Sequence, residues 1–195
     1  MQKYLESTQY INWQHSDVLK QAKMLADEGK DMEAVAKSCF DFVRDKIKHS
    51  SDYQLNPVTC KASDVLKHGA GYCYAKSHLL AALLRANDIP TGLCYQRLTI
   101  DDEKPPFCLH GLNAVYLDQY GWYRADARGN KPGVQAEFSP PIEQLAFSVA
   151  IEGEADLPEI WAEPLPVIIQ VLEHGKNYLD VLDNLPDIQI IKPFK

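Results

Sequence analysis

One segment, GAGYCYAKSHLLAALLRANDIP at residues 69–90, constrains the fold more than any other part of the chain. Two glycines precede Cys73, and a helix is predicted from Cys73 to about Asn87, before a proline ends it. Residues 79–84 (LLAALL) are apolar on every side of such a helix. A helix that is apolar all round has to be buried, so we expect the rest of the chain to pack around it.

The chain before this central helix shows helical periodicity. Apolar residues recur at every third or fourth position in two segments, which predicts amphipathic helices at 16–28 and 31–48. Ser16 and Asp31 are the predicted N-caps, because a short polar side chain can accept a bond from the first free backbone N–H groups. Residues 49–60 are predicted to form a loop.

The apolar period changes to two after the central helix. Alternation predicts three strands, at residues 91–100, 110–117 and 121–128. The last two are expected to form a hairpin whose loop ends at Gly121. Prolines near the start of two further segments predict helices at 139–147 and 164–182. The order of elements predicts one α+β domain over residues 1–195, with N-terminal helices and a buried central helix packed on an antiparallel β-sheet.

Composition fits a globular protein and excludes several classes of function. The chain has 195 residues, 46% of them hydrophobic, which is enough to bury a core. A net charge of -7 and the lack of a basic cluster argue against nucleic acid and membrane surfaces as partners. No apolar run approaches the ~18 residues of a transmembrane helix, and the first residues lack the apolar region of a signal peptide. We therefore expect a cytoplasmic protein.

The five cysteines are an odd number, and in a cytoplasmic protein we expect free thiols rather than disulfides. Cys39 and Cys94 fall on apolar stripes and are predicted to lie in the core. Cys60 and Cys108 fall in predicted loops. No Cys-x-x-Cys pair occurs, so no metal site is expected. The cysteine chemistry considered below needs no cofactor. Only Cys73 stands at a glycine-containing turn at the start of a helix.

Cys73 has the position that a nucleophilic thiol needs. The N-terminus of a helix carries a partial positive charge and free N–H groups, which favour a thiolate and can bind the oxyanion of a tetrahedral intermediate. A cysteine nucleophile also needs a base, and the base needs an acceptor that orients it. His110, at the start of one predicted strand, and Asp126, at the end of the next, are the candidates for these roles.

The hairpin loop between the two strands decides whether His110 and Asp126 can meet. Residues that pair across strands share a face of the sheet. A three-residue loop with Gly121 in the left-handed conformation keeps both side chains on one face, whereas a two- or four-residue loop requires a bulge. Each residue taken alone also has a structural explanation: a buried cysteine, a histidine bonded to backbone, and an aspartate that caps a turn or pairs with Arg124 or Arg128.

Three blocks in order carry a resemblance to a known family: GAGYCYAKSHLLAALLRANDIPTGLCYQ, LHGLNAVYL and YRADARGN. They resemble the signature blocks of the transglutaminase-like superfamily, which has a papain-like cysteine-enzyme core. In that family the cysteine begins the central helix, the histidine opens a strand and the aspartate lies on the next strand, positions held here by Cys73, His110 and Asp126. The resemblance covers roughly residues 30–130 and leaves 131–195 as a C-terminal extension with a helix.

The resemblance implies a Cys-His-Asp triad that acts on the amide or acyl groups of a peptide or protein substrate. Cys73 would attack a carbonyl, His110 would take and return the proton, and Asp126 would orient His110. The acyl-enzyme would pass to water, as in a protease, amidase or deamidase, or to an amine, as in a transglutaminase.

Residues beside the triad are candidates for substrate binding. Tyr72 and Tyr74 are expected to be walls of a cleft. Gly71 is expected to allow close backbone approach, and Gly111 to leave room for a substrate. Calcium-dependent animal transglutaminases carry a tryptophan used at the oxyanion site, and the lack of one in residues 40–60 argues against a crosslinking enzyme of that type. Three polar residues are candidates for a second oxyanion donor: Tyr53, Gln54 and Asn56.

Two other functions are compatible with the same residues. An arylamine N-acetyltransferase-like enzyme would also carry its cysteine after a glycine-containing turn, here residues 69–73, although the chain is short for that family. A transglutaminase-like domain that has lost activity would be a binding module. Turnover of acetyl-CoA distinguishes the first alternative, and the reactivity of the Cys73 thiol distinguishes the second.

Overall fold

A computed structural model describes residues 1–27, 31–100 and 104–189. After a short 3-10 helix at Gln2–Tyr4, these ranges contain seven α-helices: α1 (Ser16–Ala26), α2 (Met32–Lys46), α3 (Ser50–Tyr53), α4 (Ala62–His68), α5 (Cys73–Arg85), α6 (Pro166–His174) and α7 (Tyr178–Asp183). They also contain eight strands: β1 (Lys48–His49), β2 (Ala70–Gly71), β3 (Thr91–Thr99), β4 (Phe107–Leu117), β5 (Gly121–Ala125), β6 (Glu137–Ser139), β7 (Ile142–Gln144) and β8 (Ala155–Asp156). Residue 28, the predicted end of the first helix, lies outside the described ranges. Among the described helices, none combines the length and apolar character needed to cross a membrane.

Helix α5 is the centre of the fold. All 13 of its residues are buried. Helices α1, α2 and α4 and strands β3 and β4 all pack against it. The predicted α+β class is therefore confirmed, with a buried central helix between N-terminal helices and an antiparallel sheet.

The main sheet places its strands in the order β5-β4-β3-β8, with every neighbouring pair antiparallel. The hairpin between β4 and β5 has the three-residue loop that the sequence allowed, residues 118–120, because Leu117 pairs with Gly121. Gly121 has a φ of 75°, a left-handed conformation that glycine adopts without strain. The loop length and this glycine set the register of the strands that lead to the candidate site.

A parallel two-stranded ladder ties the segment after α2 to the start of α5. Strand β1 pairs with β2, with Lys48 beside Ala70 and His49 beside Gly71. The segment 49–60, predicted to be a loop, therefore contains the end of a strand and the helix α3. Elements of two to four residues are too short to show a period in the sequence, which is why the prediction missed them.

The helix predicted at 139–147 is wrong, because β6 and β7 form a hairpin there. The two prolines that suggested a helix start lie in its turn, between the paired residues Ser139 and Ile142. Strand β7 is held against the main sheet by Arg124 of β5, whose guanidinium binds the Glu143 carboxylate at 3.0 and 2.7 Å. A tertiary contact thus overrides the local proline signal.

The single helix predicted at 164–182 is two helices, α6 and α7, separated at Gly175. A Cβ at Gly175 would lie 2.5 Å from a methyl carbon of Val181, so the glycine lets α7 fold back against the end of α6. Asn177 then caps α7 by accepting two bonds from the first backbone N–H groups of that helix. The extension still joins the main core, to which it contributes Ile168, Leu172 and Val181.

One of the two predicted N-caps is confirmed. Asp31 accepts a bond from the backbone N–H of Ala34 at 2.9 Å at the start of α2. Ser16 is instead the first helical residue of α1, and the cap is His15, whose Nδ1 accepts from the N–H of Asp17 at 3.4 Å. The cap lies one residue earlier because the backbone of His15 is still extended.

Leu83 tests the central role of α5 in stability. Leu83 is fully buried, so Leu83→Ala is expected to lower the free energy of unfolding by about 2–5 kcal/mol through lost apolar burial and the cavity left behind. Met24→Ala on the exposed side of α1 is the control and is expected to change that free energy by less than about 0.5 kcal/mol. Urea unfolding followed by circular dichroism measures both, and equal effects would contradict the prediction.

Candidate active site

Three groups converge on the sulfur of Cys73. Cys73 is the first residue of α5, with Tyr72 preceding it as the N-cap, and it is only 7% exposed. The backbone N–H of Gly111 points at the sulfur from 3.5 Å. The imidazole of His110 lines the same cavity as the sulfur, and the charge of Cys73 is one of the causes that raise the pKa of His110. The helix N-terminus, the N–H group and the imidazole each favour negative charge at this position.

His110 and Asp126 meet on one face of the β4–β5 hairpin. Nε2 of His110 lies 2.8 Å from Oδ2 of Asp126. The register pairs Asn113 with Ala125, so Asp126 comes opposite the residue before Asn113. That residue lies two positions after His110 and shares its face of the sheet, so Asp126 and His110 are on the same face. The prediction that a three-residue loop brings these side chains to one face is confirmed. Because Nε2 faces the carboxylate, Nδ1 is the nitrogen left for Cys73.

The Asp126 carboxylate is fully buried and accepts three bonds. Besides His110, the donors are the backbone N–H groups of Arg128 and Ala146, each at 3.1 Å. The guanidinium groups of Arg124 and Arg128 bind other carboxylates in the fold. Asp126 therefore does cap a turn, in addition to its bond with His110. It does not form an ion pair with Arg124 or Arg128, because the guanidinium groups of both bind other carboxylates.

The charges of the site favour a protonated His110. Burial lowers the pKa of His110, but the negative charges of Asp126 and Cys73 and the hydrogen bond to Asp126 outweigh it and raise the pKa to about 10. Burial raises the pKa of Asp126, but the charge and hydrogen bond of His110 and two backbone N–H groups outweigh it and lower the pKa. His110 is therefore expected to be an imidazolium at neutral pH when Cys73 is a thiolate.

A cavity of about 490 Å³ opens beside the triad. Cys73 and His110 line it together with Tyr72 and Tyr74. The hydroxyl groups of both tyrosines donate to backbone carbonyl groups, which holds the two rings in place on the cavity wall. Their role in substrate binding stays a prediction.

The two glycines singled out by the sequence have packing roles. A Cβ at Gly71 would lie 3.1 Å from the hydroxyl oxygen of Thr59 and 3.2 Å from the methyl of Ala75. A Cβ at Gly111 would lie 3.0 to 3.3 Å from atoms of Tyr74, including its backbone N and Cα. The space beside Gly111, which the sequence suggested for a substrate, is therefore filled by the first turn of α5.

His49 lines the same cavity and was missed by the sequence analysis. The β1–β2 ladder sets it beside Gly71, and its ring meets that of Tyr72 edge-on at 5.4 Å. Its Nδ1 lies 3.7 Å from the Asp52 carboxylate. Burial, followed by the charge of Arg128, holds the pKa of His49 well below its usual range, so the ring is neutral at neutral pH. The two-residue ladder brings His49 to the site, and it is too short to show a period in the sequence.

The three residues considered for a second oxyanion donor have other positions. Tyr53 is 57% exposed. Gln54 ends α3 in the left-handed conformation. The side-chain oxygen of Asn56 accepts from the backbone N–H of Tyr178 at 2.8 Å. His49, a few residues earlier, is the better candidate because it lines the cavity with Cys73.

The other four cysteines are buried or half-buried thiols. Cys39 and Cys94 lie in the core as predicted, whereas Cys108 lies in β4 rather than in a loop and lines the cavity. Burial is the largest cause that raises the pKa of each of these four thiols to about 12. In the part of the chain that the structure describes, no three His, Cys, Asp or Glu residues are grouped to hold a metal ion.

Comparison with known proteins shows the family. A family model of the transglutaminase-like superfamily matches residues 20–127, more than half of the chain. The matched range contains the central helix, Cys73, His110 and Asp126. The protein therefore belongs to the transglutaminase-like superfamily.

A solved structure with a TM-score above 0.5 agrees in fold. A putative cysteine protease from Cytophaga hutchinsonii has a TM-score of 0.52 and 21% identity, over 64% of this chain and 40% of that one. A putative protease from Parabacteroides distasonis has a TM-score of 0.47 and 13% identity, over 84% of this chain and 30% of that one. This chain thus matches less than half the length of either protein. No match is found among curated proteins.

Cys73 is expected to react with iodoacetamide at pH 6 faster than the other four thiols. At that pH a thiol with a pKa near 12 is a thiolate in only about one molecule in a million, whereas Cys73 has an imidazolium and a helix N-terminus beside it. Mass spectrometry of the digested protein measures the labelling of each cysteine. His110→Gln removes the imidazolium and is expected to slow labelling of Cys73 alone. Equal rates at all five thiols would contradict an activated Cys73.

Proposed function

We propose that this protein is a cysteine hydrolase that cleaves an amide bond in a peptide or protein substrate. Cys73 is the proposed nucleophile, His110 the acid–base and Asp126 the residue that orients His110. The observation that carries the proposal is the position of the His110 imidazole, which hydrogen-bonds the buried Asp126 carboxylate and lines the same cavity as the Cys73 sulfur. Membership in the transglutaminase-like superfamily supports it.

Acylation in this proposal begins from the thiolate–imidazolium pair. The Cys73 sulfur attacks the carbonyl carbon of the scissile amide, and the carbonyl oxygen takes the negative charge. The C–N bond then breaks as His110 gives its proton to the leaving amine, which leaves a thioester on Cys73. Asp126 keeps the imidazole oriented through both proton transfers.

The oxyanion of the tetrahedral intermediate needs donors on the side away from His110. The free backbone N–H groups in the first turn of α5 are one source, since they have no partner within the helix. The imidazole of His49 is the proposed second source. Its low pKa keeps it neutral, so it can donate one N–H without repelling the imidazolium of His110.

Deacylation uses the same residues in reverse. Once Cys73 is a thioester, His110 has lost the adjacent negative sulfur and can act as a base. It takes a proton from water, the hydroxide attacks the thioester, and the carboxylic acid leaves with the thiolate restored. An amine in place of water would give acyl transfer, and this is the alternative that the experiment separates.

Loss of Cys73 is expected to abolish turnover of a peptide library. Cys73→Ala removes the nucleophile and should lower the rate by about 10⁴-fold or more. The matched control is Cys108→Ala, which removes another thiol of the same cavity and should keep the parent rate. Mass spectrometry with and without a primary amine identifies the products: a free acid shows hydrolysis, and an amine adduct shows transfer. A parent rate in Cys73→Ala, or no turnover in the parent protein, would contradict the proposal, and the latter would favour a binding module.

Substitution of His49 tests the second oxyanion donor. His49→Ala is expected to lower kcat by about 10²- to 10³-fold with little change in KM, because the donor acts on charge that develops only in the transition state. His49→Gln keeps a neutral N–H donor and should recover part of the rate. An unchanged kcat with a higher KM in His49→Ala would instead make His49 a substrate-binding residue.

A further inference from the structure

The edge of β4 beside the triad is covered by the C-terminal part of the chain. Strand β5 pairs with residues 113–117 of β4, so the preceding residues of that edge face other partners. The N–H of Gly111 points at Cys73, and the N–H of Leu109 donates to the carbonyl of Pro186 at 2.7 Å. One backbone hydrogen bond thus joins the C-terminal part of the chain to the sheet edge next to the nucleophile.

This segment, residues 185–188, is here termed the C-terminal strap. Pro186 is buried, and Leu185 lines the same cavity as Cys73. The carboxylate of Asp187 forms two bonds of 2.6 Å with the guanidinium of Arg97. The strap therefore combines one backbone bond to the strand edge, apolar contacts at the cavity and one ion pair.

Arg97 is positioned by contacts other than the strap. It lies directly opposite Leu109 in the β3–β4 register. Its guanidinium carbon lies 3.8 Å from the centre of the Phe107 ring, and its Nη1 donates to the carbonyl of Gly153 at 2.8 Å. The Arg97 guanidinium is therefore already in place to bind an acidic side chain. That side chain would belong to the residue that follows the one whose carbonyl accepts from the Leu109 N–H.

We propose that the edge of β4 at Leu109, together with Arg97, is a subsite for an extended peptide that carries an acidic side chain. The C-terminal strap occupies this subsite and competes with the substrate peptide. The identity of that peptide as the substrate rests on the proposed function. The acidic residue follows directly after the residue whose carbonyl binds Leu109, as Asp187 follows Pro186.

The exposure of the site agrees with a replaceable strap. Cys73 is only 7% exposed, and Leu185 of the strap lines the same cavity, so displacement of the strap would widen the access of a peptide to the sulfur. The Asp187 side chain is 34% exposed, which lets water and a competing carboxylate reach the ion pair. An incoming peptide would make the backbone bond and the ion pair that the strap gives up.

Peptide binding without catalysis tests this proposal. The probe is a fluorescein-labelled peptide of residues 183–189 (DNLPDIQ), and fluorescence anisotropy measures its affinity for the Cys73→Ala protein. Asp187→Ala in that protein weakens the internal competitor, so the probe should bind about fivefold tighter. Arg97→Ala added to Asp187→Ala should reverse this gain. A probe with asparagine in place of its second aspartate should bind about fivefold more weakly to the Asp187→Ala protein.

Arg124→Ala is the matched control, because Arg124 of the same sheet also makes two guanidinium bonds to a carboxylate, that of Glu143. It should leave probe binding unchanged. Equal binding of the acidic and neutral probes, or no gain on Asp187→Ala, would overturn the proposal; the two probes decide it even if Arg97→Ala fails to fold. Since the protein lacks Cys73, failure of the proposed chemistry cannot produce either result.

Discussion

The first turn of α5 packs directly on the edge of β4, and the whole candidate site depends on this contact. Because Gly111 has no side chain, the backbone of Tyr74 can come so close that a Cβ on residue 111 would be crowded by it. The same approach points the N–H of Gly111 at the sulfur of Cys73 and lets the Tyr74 hydroxyl bond to the backbone of Leu109. A wider spacing would separate the helix N-terminus from the strand that carries the base.

Burial makes the electrostatics of the site effective. Asp126 lies out of contact with water, yet three donors satisfy its carboxylate, so it remains charged and holds His110 in the protonated form. Phe147 covers the imidazole edge-on at 5.0 Å. In such surroundings a thiolate–imidazolium pair interacts more strongly than it would in water.

One segment before α5 and one near the C-terminus complete the cavity around this central unit. The β1–β2 ladder brings His49 to one part of the wall, and the C-terminal strap brings Leu185 to another. The range that matches the superfamily, residues 20–127, contains the triad but not the strap. The proposed chemistry and the proposed peptide subsite at Leu109 and Arg97 therefore both belong to the matched core, and the strap that competes for the subsite belongs to the extension.

The sequence by itself determined the elements that depend on neighbours along the chain. These are the all-apolar helix α5 and the alternating strands, whereas the sequence only allowed the three-residue loop at Gly121 that puts His110 and Asp126 on one face. Tertiary structure decided the rest: the proline segment at 139–147 became a hairpin on β5, and a two-residue ladder made His49 part of the site. The physical reason is range, because period, caps and turns act over a few residues, whereas these elements are stabilised by contacts with distant parts of the chain.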